Sequence, residues 1–193
     1  MRGPLIIVSG PSGSGKSTVI QRLLLDAPGP LRLSVSATTR RPRPGETDGK
    51  DYHFWTQERF DHEVAAGAFL EHAIVHGAAS YGTLRSEVDP YLEQGTGVIL
   101  DIDVQGAEQV RRVRPEHLSV FLSAPSPAEE ERRLRGRGSE DESAIRRRLE
   151  TARAELAQAE KYQFQIINDD LAAATDRLRQ VVAQEFVRTH DAG

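Results

Sequence analysis

The fold is decided by the stretch L-I-I-V-S-G-P-S-G-S-G-K-S at residues 5–17. Its first four residues form a continuous apolar run, which predicts a strand buried on both faces, as in a parallel sheet. A Gly- and Ser-rich turn follows, and then a helical pattern over Thr18–Leu25 that Pro28, Gly29 and Pro30 bring to an end. A strand, a loop and a helix in this order predict the beginning of an α/β fold.

Residues 10–17 fit the pattern G-x-x-x-x-G-K-[ST] of a phosphate-binding loop. Glycines let the backbone turn tightly, so that its N–H groups and the positive end of the next helix can hold phosphates. Lys16 would bridge the β and γ phosphates of ATP, and the Ser17 hydroxyl would ligate Mg²⁺. A chance Gly/Ser-rich loop is the alternative, which the flanking strand and helix disfavour. The predicted ATP-binding residues of this segment are Gly10, Pro11, Ser12, Gly13, Ser14, Gly15, Lys16, Ser17 and Thr18.

Further apolar runs repeat this signature of a strand buried on both faces, and helical patterns separate or follow them along the chain. The runs are Val98–Leu100, Leu118–Leu122 and Phe164–Ile167, and the helical patterns cover residues 105–112, 127–135 and 171–188. Because strands that alternate with helices form right-handed βαβ units, the predicted fold is an open parallel sheet flanked by helices.

Two segments interrupt this alternation. Residues 36–83 are rich in Pro, Gly and charge and then alternate apolar with polar residues, which predicts a small, mostly β insertion. Residues 126–161 are highly charged and helical, with a predicted hinge at residues 136–138 and a capping box formed by Ser139 and Glu142. A core with two insertions is expected where a site closes over its ligands, so this second segment is a candidate lid. The remaining core would comprise residues 1–35, 84–125 and 162–193.

Composition excludes several classes of protein. The formal net charge of −4 argues against a nucleic-acid partner, since general nucleic-acid binders are usually basic. The absence of cysteine rules out disulfides, thiolate metal sites and cysteine nucleophiles. No apolar run is long enough to cross a bilayer or to form the core of a signal peptide. We therefore expect a cytoplasmic protein with no nucleic-acid and no membrane partner.

A candidate carboxylate follows the apolar run Val98–Leu100. A strand that ends in an Asp beside a phosphate loop commonly supplies the carboxylate on the Mg²⁺ side, so Asp101 would bind the metal directly or through water. A strand-end Asp in a solvated turn is the alternative.

A second anion site is predicted after the phosphate loop, where R-R-P-R occupies residues 40–43 and further prolines follow. Arginine forks match phosphate oxygens bidentately, and a kinase needs such a site to hold the phosphate of the acceptor in line with the donor. A solvated basic turn is the alternative for these four residues taken alone.

The motifs together resemble those of guanylate kinases, in the order found in that family and over nearly all of the chain. They are the phosphate loop, S-V-S-A-T-T-R-R-P-R-P-G-E at 34–46, D-Y-H-F at 51–54, F-L-E-H at 69–72, L-D-I-D-V-Q-G at 100–106, G-R-G at 136–138 and I-N-D-D-L at 167–171. The resemblance implies an enzyme of purine nucleotide metabolism that transfers the γ-phosphate of MgATP to GMP, and also to dGMP. It implies a P-loop-type fold with a GMP-binding insertion.

The resemblance also implies roles for individual residues of the insertion. Those expected to hold the phosphate region of GMP are Arg40, Arg43, Glu46, Tyr52 and Tyr81, and those expected to read guanine are Ser36, Glu71 and Thr83, with Asp101 or Asp103 nearby. A carboxylate can accept hydrogen bonds from both N1–H and the N2 amine of guanine, and adenine has no such pair of donors. The alternatives are core positions for the two tyrosines and an exposed strand-edge charge for Glu71.

In the candidate lid, the resemblance implies that Arg133, Arg137 and Arg148 act with Lys16 in catalysis by closing on the transferred phosphate. The other lid arginines, which are Arg132, Arg135, Arg146 and Arg147, are expected to pair with acidic neighbours such as Glu129, Glu130 and Glu150. Asn168 resembles a residue on the adenine side of the site, but capping of the last helix is the interpretation that the residues favour.

Three local patterns need separate interpretation. The segment G-A-A-S-Y-G at 77–82 differs from the G-N-Y-Y-G of the family, which leaves open which of its residues contacts the nucleotide. Pro90 predicts a helix that starts with Asp89 as its cap. His72 and His76 lie four apart in a predicted strand, where they are too far apart to bind one metal ion.

Two other functions remain as alternatives to a GMP kinase. One is a guanylate-kinase-like module that binds phosphopeptides without catalysis, which the intact phosphate loop disfavours. The other is a phosphate-loop kinase with another acceptor, which the segment from Arg40 to Tyr52 disfavours. The sequence leaves open a monomer or a homodimer.

Overall fold

A computed structural model describes residues 2–75, 79–136 and 142–191. Five parallel strands form the main sheet, in the spatial order β2-β7-β1-β8-β9. These strands are β1 (Leu5–Ser9), β2 (Leu31–Leu33), β7 (Gly97–Asp101), β8 (Leu118–Ser123) and β9 (Phe164–Ile167). The predicted open parallel sheet is confirmed, with β2 as a strand that the sequence did not indicate.

Helices connect and cover the strands. They are α1 (Lys16–Leu25), α2 (Gln57–Ala65), α3 (Asp89–Glu93), α4 (Val104–Val113), α5 (Pro127–Arg135), α6 (Glu142–Leu156) and α7 (Leu171–Asp191). Two apolar layers pack on opposite faces of the sheet, one built around Ile6, Val8 and Leu178 and the other around Ile7, Leu100 and Phe121. Successive residues of β1 thus serve both layers, as expected of a strand buried on both faces.

The order of the strands brings two loops together. β1 lies between β7 and β8, and Val8 is in register with Asp101. Because the carboxyl ends of parallel strands meet at one edge of the sheet, the phosphate loop after β1 and the end of β7 become neighbours. Asp101 therefore lies at the edge where the sequence predicts the metal carboxylate.

The insertion forms a sheet of its own. Its strands have the order β4-β3-β6-β5 and comprise β3 (Ala37–Thr38), β4 (His53–Phe54), β5 (Phe69–Val75) and β6 (Ala79–Leu84). A small apolar cluster around Phe60 and Phe69 joins this sheet to α2. The rings of these two residues stack with their centres 4.6 Å apart. The sequence did not predict α2, although Thr56 caps it by accepting a hydrogen bond from the amide of Arg59 at 3.2 Å.

Two local predictions differ from the structure, and others concern residues outside the described ranges. β9 is an edge strand with Phe164 and Ile167 40% and 50% exposed, so the expectation of burial on both faces is wrong there. Asp89 does not cap α3, because it lies inside the helix and pairs with Arg114 at 2.5 Å. Gly136 ends α5, whereas Arg137, Gly138, Ser139 and His76 lie outside the described residues.

None of the helices in the described ranges is both long enough and apolar enough to cross a bilayer.

Candidate functional site

The phosphate loop joins β1 to α1 around the side chain of Lys16. The ammonium group of Lys16 donates hydrogen bonds to the carbonyl oxygens of Gly10 and Pro11, so the side chain folds back over the loop. Gly15 has φ +90°, and a Cβ at this position would collide with the side-chain amide of Asn168. Glycine is therefore required here both by the backbone conformation and by the close approach of Asn168.

Asn168 holds the phosphate loop through a hydrogen bond to its backbone. Its Nδ2 donates to the carbonyl oxygen of Ser14 at 2.8 Å, and the residue is 5% exposed. Arg133 of α5 reaches the same place, with Nη2 donating to the Asn168 carbonyl oxygen at 3.1 Å and Nη1 to that of Ser14 at 3.5 Å. The cap of α7 is Asp170, whose Oδ1 accepts from the amide of Ala173 at 2.9 Å. The preferred interpretation of Asn168 as that cap is therefore wrong.

A hydroxyl and a carboxylate meet at the end of the loop. Ser17 Oγ lies 3.3 Å from Asp101 Oδ2. Hard oxygen ligands of this kind suit Mg²⁺, which takes its other ligands from phosphate oxygens and water. Among the described residues, no three His, Asp or Glu side chains form a cluster that could hold a metal ion by themselves. The residues present therefore fit a metal that arrives with a nucleotide.

The predicted anion site of the insertion is built around Arg40. Its guanidinium forms a bidentate pair with Glu46 at 2.7 and 2.9 Å, and its Nε donates to Tyr81 Oη at 3.1 Å. Nη1 also donates to the carbonyl oxygen of Arg41 at 2.8 Å, so four of its five N–H groups have partners in the described structure and one on Nη2 does not. The Arg40 hydrogen bonds hold the pKa of Glu46 low, at about 2.

Aromatic rings enclose this guanidinium. The Tyr52 ring lies 5.1 Å from the Arg40 guanidinium and 5.9 Å from the Tyr81 ring. Burial raises the pKa of Tyr52 to about 12, so its hydroxyl stays protonated and can donate a hydrogen bond. In the basic turn at residues 40–43, the hydrogen-bond donors of Arg40 are thus held in place by Glu46 and Tyr81.

Glu71 lies on β5 and points toward the core. It is 5% exposed, and its Oε1 accepts a hydrogen bond from Thr83 Oγ1 at 2.6 Å. Its Oε2 packs against Gly106 of α4, where a Cβ would collide with it. Burial raises the pKa of Glu71 to about 7, despite the hydrogen bond from Thr83. The alternative of an exposed strand-edge charge is wrong.

One cavity of about 250 Å³ lies between the phosphate loop, the insertion sheet and α6. The predicted residues that line it are Gly10, Pro11, Ser12, Gly13, Gly15, Lys16, Ser17, Ser36, Arg43, Tyr52, Glu71, Tyr81, Asp101, Asp103 and Arg148. The tyrosines are therefore not ordinary core residues. A cavity lined both by a phosphate loop and by Arg43, Tyr52 and Tyr81 of the insertion has the layout required to bring two phosphorylated ligands together.

Comparison with known proteins identifies the family. A sequence profile of guanylate kinases matches residues 2–185. The guanylate kinase of Rubrobacter xylanophilus is 49% identical over 181 residues, which cover 94% of each chain. The chain belongs to the guanylate kinase family. The predicted family and class of enzyme, an ATP-dependent kinase that acts on GMP, are thereby confirmed.

Two further guanylate kinases support this assignment. The enzyme of Shewanella denitrificans is 48% identical over 181 residues, which cover 94% of this chain and 87% of that one. The crystal structure of guanylate kinase from Anaplasma phagocytophilum is 32% identical, covers 95% of this chain and 86% of that one, and superposes with a TM-score of 0.78. The fold predicted from the sequence is confirmed by this likeness.

Within this guanylate kinase fold, seven predicted site residues lie outside the cavity lining. Ser14 is a buried residue of the loop, and Thr18 is exposed on α1. Arg40, Glu46 and Thr83 are hydrogen-bonded to the lining residues Tyr81, Arg43 and Glu71, respectively. Arg133 and Asn168 contact the loop, as described above. Arg137 lies outside the described residues, and the roles of all these residues stay predictions.

Most of the remaining lid arginines behave as the sequence predicts. Arg132 pairs with Glu129 at 2.6 Å, Arg135 with Glu142 at 2.7 Å, and Arg146 approaches Glu142 at 4.0 Å, whereas the side chain of Arg147 is not described. Glu130, which was expected to pair with one of these arginines, is instead 3% exposed, and its Oε1 has no hydrogen-bonding partner in the described structure.

Sequence reasoning missed Glu155 of α6, which lines the cavity and is 9% exposed. Burial raises its pKa to about 7, although Lys16 acts in the opposite direction. Neither residue type nor spacing distinguishes it from the other glutamates of a charged helix. Only the packing of α6 over the phosphate loop places it in the site.

Proposed function

We propose that the chain transfers the γ-phosphate of ATP to GMP, and also to dGMP, with the phosphate loop holding the donor and the insertion holding the acceptor. The observation that supports this most strongly is the shared cavity, which is lined both by Lys16 and Ser17 of the phosphate loop and by Tyr52, Glu71 and Tyr81 of the insertion. Two anion sites that face one cavity can bring the two reacting groups into line.

On the donor side, the loop amides and the N-terminus of α1 surround the phosphates of ATP. Lys16 leaves its carbonyl partners in the loop and pairs with the β and γ phosphates, where it offsets the charge that develops on the transferred group. Ser17 and Asp101 would hold Mg²⁺, directly or through water, and the metal would neutralise charge between the phosphates of ATP.

On the acceptor side, the phosphate of GMP accepts hydrogen bonds from the free N–H of Arg40 and from the hydroxyl groups of Tyr52 and Tyr81. It also pairs with the guanidinium of Arg43. Tyr81 accepts from Arg40, so its own O–H proton is available to a phosphate oxygen. Glu46 keeps the fork of Arg40 oriented before the ligand arrives. The phosphate dianion of GMP is itself the nucleophile, so no general base is needed.

Guanine is read by Glu71, Thr83 and Ser36, with Asp103 nearby. When ionised, Glu71 accepts hydrogen bonds from N1–H and the N2 amine of guanine, and an adenine base would leave this buried carboxylate unpaired. A site built on a buried polar group discriminates most strongly against ligands that fail to match it.

The insertion (residues 36–83) and the lid (residues 126–161) act as units that close over the core. Arg148 lines the cavity from α6 and would approach the transferred phosphate on closure, together with Arg133 and Arg137. Closure excludes water and so favours transfer to GMP over hydrolysis of ATP. A cytoplasmic location, the lack of nucleic-acid and membrane partners and the choice between monomer and homodimer stay predictions.

A coupled assay of ADP release with ATP, Mg²⁺ and each of GMP, dGMP, AMP, CMP and UMP tests the proposal. Activity is expected with GMP and dGMP only, and the Lys16→Ala variant is expected to lose it by about two orders of magnitude or more while remaining folded. Equal activity with AMP would reject the assignment of guanine readers. ADP release with none of the acceptors would favour a binding module.

A further inference from the structure

Glu87 lies where the chain returns from the insertion to the core. The chain leaves the core sheet after β2 and comes back through a short 3₁₀ turn, Arg85–Glu87, that follows β6. The next residue, Val88, is fully buried in the apolar layer of the core. The backbone of Glu87 is thus fixed to the core at one of the two crossings between the two sheets.

The core also holds the side chain of Glu87. Arg32, on β2 of the core sheet, pairs with Glu87 Oε2 at 2.6 Å and donates to the Glu87 carbonyl oxygen at 3.1 Å. The guanidinium of Arg32 lies 3.6 Å from the centre of the Tyr91 ring, which packs on the core. These contacts leave Glu87 Oε1 directed away from Arg32.

The insertion contacts this second oxygen. Nε2 of His53, which lies on the edge strand β4, is 3.2 Å from Glu87 Oε1. The two side chains are 26% and 19% exposed, so water screens the contact only in part. Burial alone would raise the pKa of Glu87, but the hydrogen bonds of Arg32 and His53 outweigh it and lower the pKa, so the carboxylate is charged at neutral pH.

The opposite edge of the insertion sheet has its own attachment. Gln109 of α4 pairs with the backbone of His72 on β5, with its Nε2 donating to the carbonyl oxygen at 2.7 Å and its Oε1 accepting from the amide at 3.2 Å. The sheet order β4-β3-β6-β5 places these two attachments at its two outer strands. In this structure, each outer strand of the insertion sheet is therefore attached to the core by a side-chain hydrogen bond.

The attachment at β4 lies next to the acceptor site. His53 follows Tyr52, which lines the cavity, and the amide of His53 donates to the carbonyl oxygen of Ser36 at 2.9 Å. A displacement of His53 would thus move a ring that encloses Arg40 and a backbone segment of the guanine site. Misplacement of reacting groups by about 1 Å can cost about 100-fold in rate.

We propose that Glu87 is a positioning residue for phosphate transfer, which holds the β4 edge of the insertion on the core through His53 and so sets the position of the acceptor relative to Lys16. This inference rests on the proposed function of the insertion as the GMP site. Glu87 acts through His53, since it is not among the residues that line the cavity.

The decisive variant is His53→Ala, because it removes the contact on the insertion side and leaves Glu87 paired with Arg32. We expect kcat with GMP to fall about tenfold, with a changed KM for GMP and an unchanged Kd for an ATP analogue bound alone. His53→Gln keeps an N–H donor of similar reach, so it should restore at least half of kcat. Glu87→Gln weakens the same contact from the other side and should lower kcat in the same direction.

The matched control is Asp89→Asn. It breaks another partly exposed ion pair, Asp89–Arg114 at 2.5 Å, which joins α3 to the residue that follows α4. We expect it to lower Tm without changing kcat or the KM for GMP. If His53→Ala lowers Tm but leaves both constants as in the unmodified protein, the contact only stabilises the fold and the inference is wrong. Failure of the proposed function itself would appear separately, as an unmodified protein that releases no ADP with GMP.

Discussion

The buried carboxyl group of Glu71 lowers the stability of the fold at neutral pH, and we propose that it also recognises guanine. Its carboxyl group is almost fully buried, and burial raises its pKa from 4.5 to about 7. In the unfolded chain the carboxyl ionises near the lower value, and in the folded chain near the higher one. As pH rises from about 4.5 to about 7, the unfolded state loses this proton before the folded state does. The free energy of unfolding therefore decreases over this window and is constant above it, as far as Glu71 is concerned.

Glu71→Gln should remove this pH dependence. The difference in free energy of unfolding, variant minus unmodified protein, should increase by about 3 kcal/mol as pH rises from 4.5 to 8. The reason is that each pKa unit corresponds to about 1.4 kcal/mol. Urea denaturation of both proteins without nucleotide at several pH values would measure the difference. Parallel stability curves would show that Glu71 does not ionise in this window.

The same substitution should weaken recognition of guanine. An amide cannot accept from both N1–H and the N2 amine, so we expect kcat/KM for GMP to fall by about 10- to 100-fold. The value for AMP should change little, and the KM for ATP should stay the same because Glu71 belongs to the insertion and not to the phosphate loop. An unchanged ratio of kcat/KM for GMP and AMP would be incompatible with Glu71 as a reader of guanine.

Among the helices and strands, the start of α7 separates two roles that the sequence I-N-D-D-L leaves ambiguous. Asn168 turns inward to the phosphate loop, while Asp170 caps the helix. Both residue types are good helix caps, so residue preference alone could not decide between them. The close approach that Gly15 permits places the Asn168 amide beneath the loop.

The two roles predict different effects of substitution. Asn168→Ala leaves the Ser14 carbonyl without its shortest donor, so the free energy of unfolding should fall by about 1–3 kcal/mol and the KM for ATP should rise several-fold. Asp170→Ala removes only a cap and should cost about 1 kcal/mol with no change in the KM for ATP. Urea denaturation and steady-state kinetics of both variants would test this, and equal KM values for the two would contradict a role of Asn168 in shaping the loop.

How far each element could be predicted depends on the origin of its signal. β1, β7 and β8 were predicted because strands buried on both faces are continuous apolar runs, and the phosphate loop because its chemistry requires fixed residues. β9 has a similar run but lies at the edge, and position within a sheet is not encoded in the run itself. α2 was missed because only Phe60 in it is fully buried, which leaves a weak helical pattern.

At the scale of the whole molecule, only those residues of the candidate site that belong to local motifs could be predicted. Residues such as Lys16 and Arg40 belong to local motifs, whereas Glu155, Gly106 and Glu87 acquire their surroundings from distant segments. Glu155 faces Lys16 only because α6 packs over the loop, and Gly106 matters only because Glu71 arrives from another sheet. Contacts of this kind depend on how three units sit on one another, which no short pattern contains.

The position of one cavity between the phosphate loop, the insertion sheet and α6 predicts that the molecule closes when both nucleotides bind. Residues from all three units line the cavity, and in-line transfer requires their ligands to meet, so the two phosphate sites must approach each other. Small-angle X-ray scattering should show a lower radius of gyration with GMP and ADP together than without nucleotide. ADP alone fills only the donor end and should produce a smaller decrease.

Glu71→Gln supplies the matched control for this closure, since it weakens GMP binding and leaves the donor end intact. At a GMP concentration that saturates the unmodified protein but not the variant, the variant should remain near the radius seen with ADP alone. Raising GMP further should then restore the compact state, because the substitution affects affinity rather than the hinges. A radius that is the same under all these conditions would mean that the two anion sites are already at their working distance, and that exclusion of water must come from side-chain movements within the cavity.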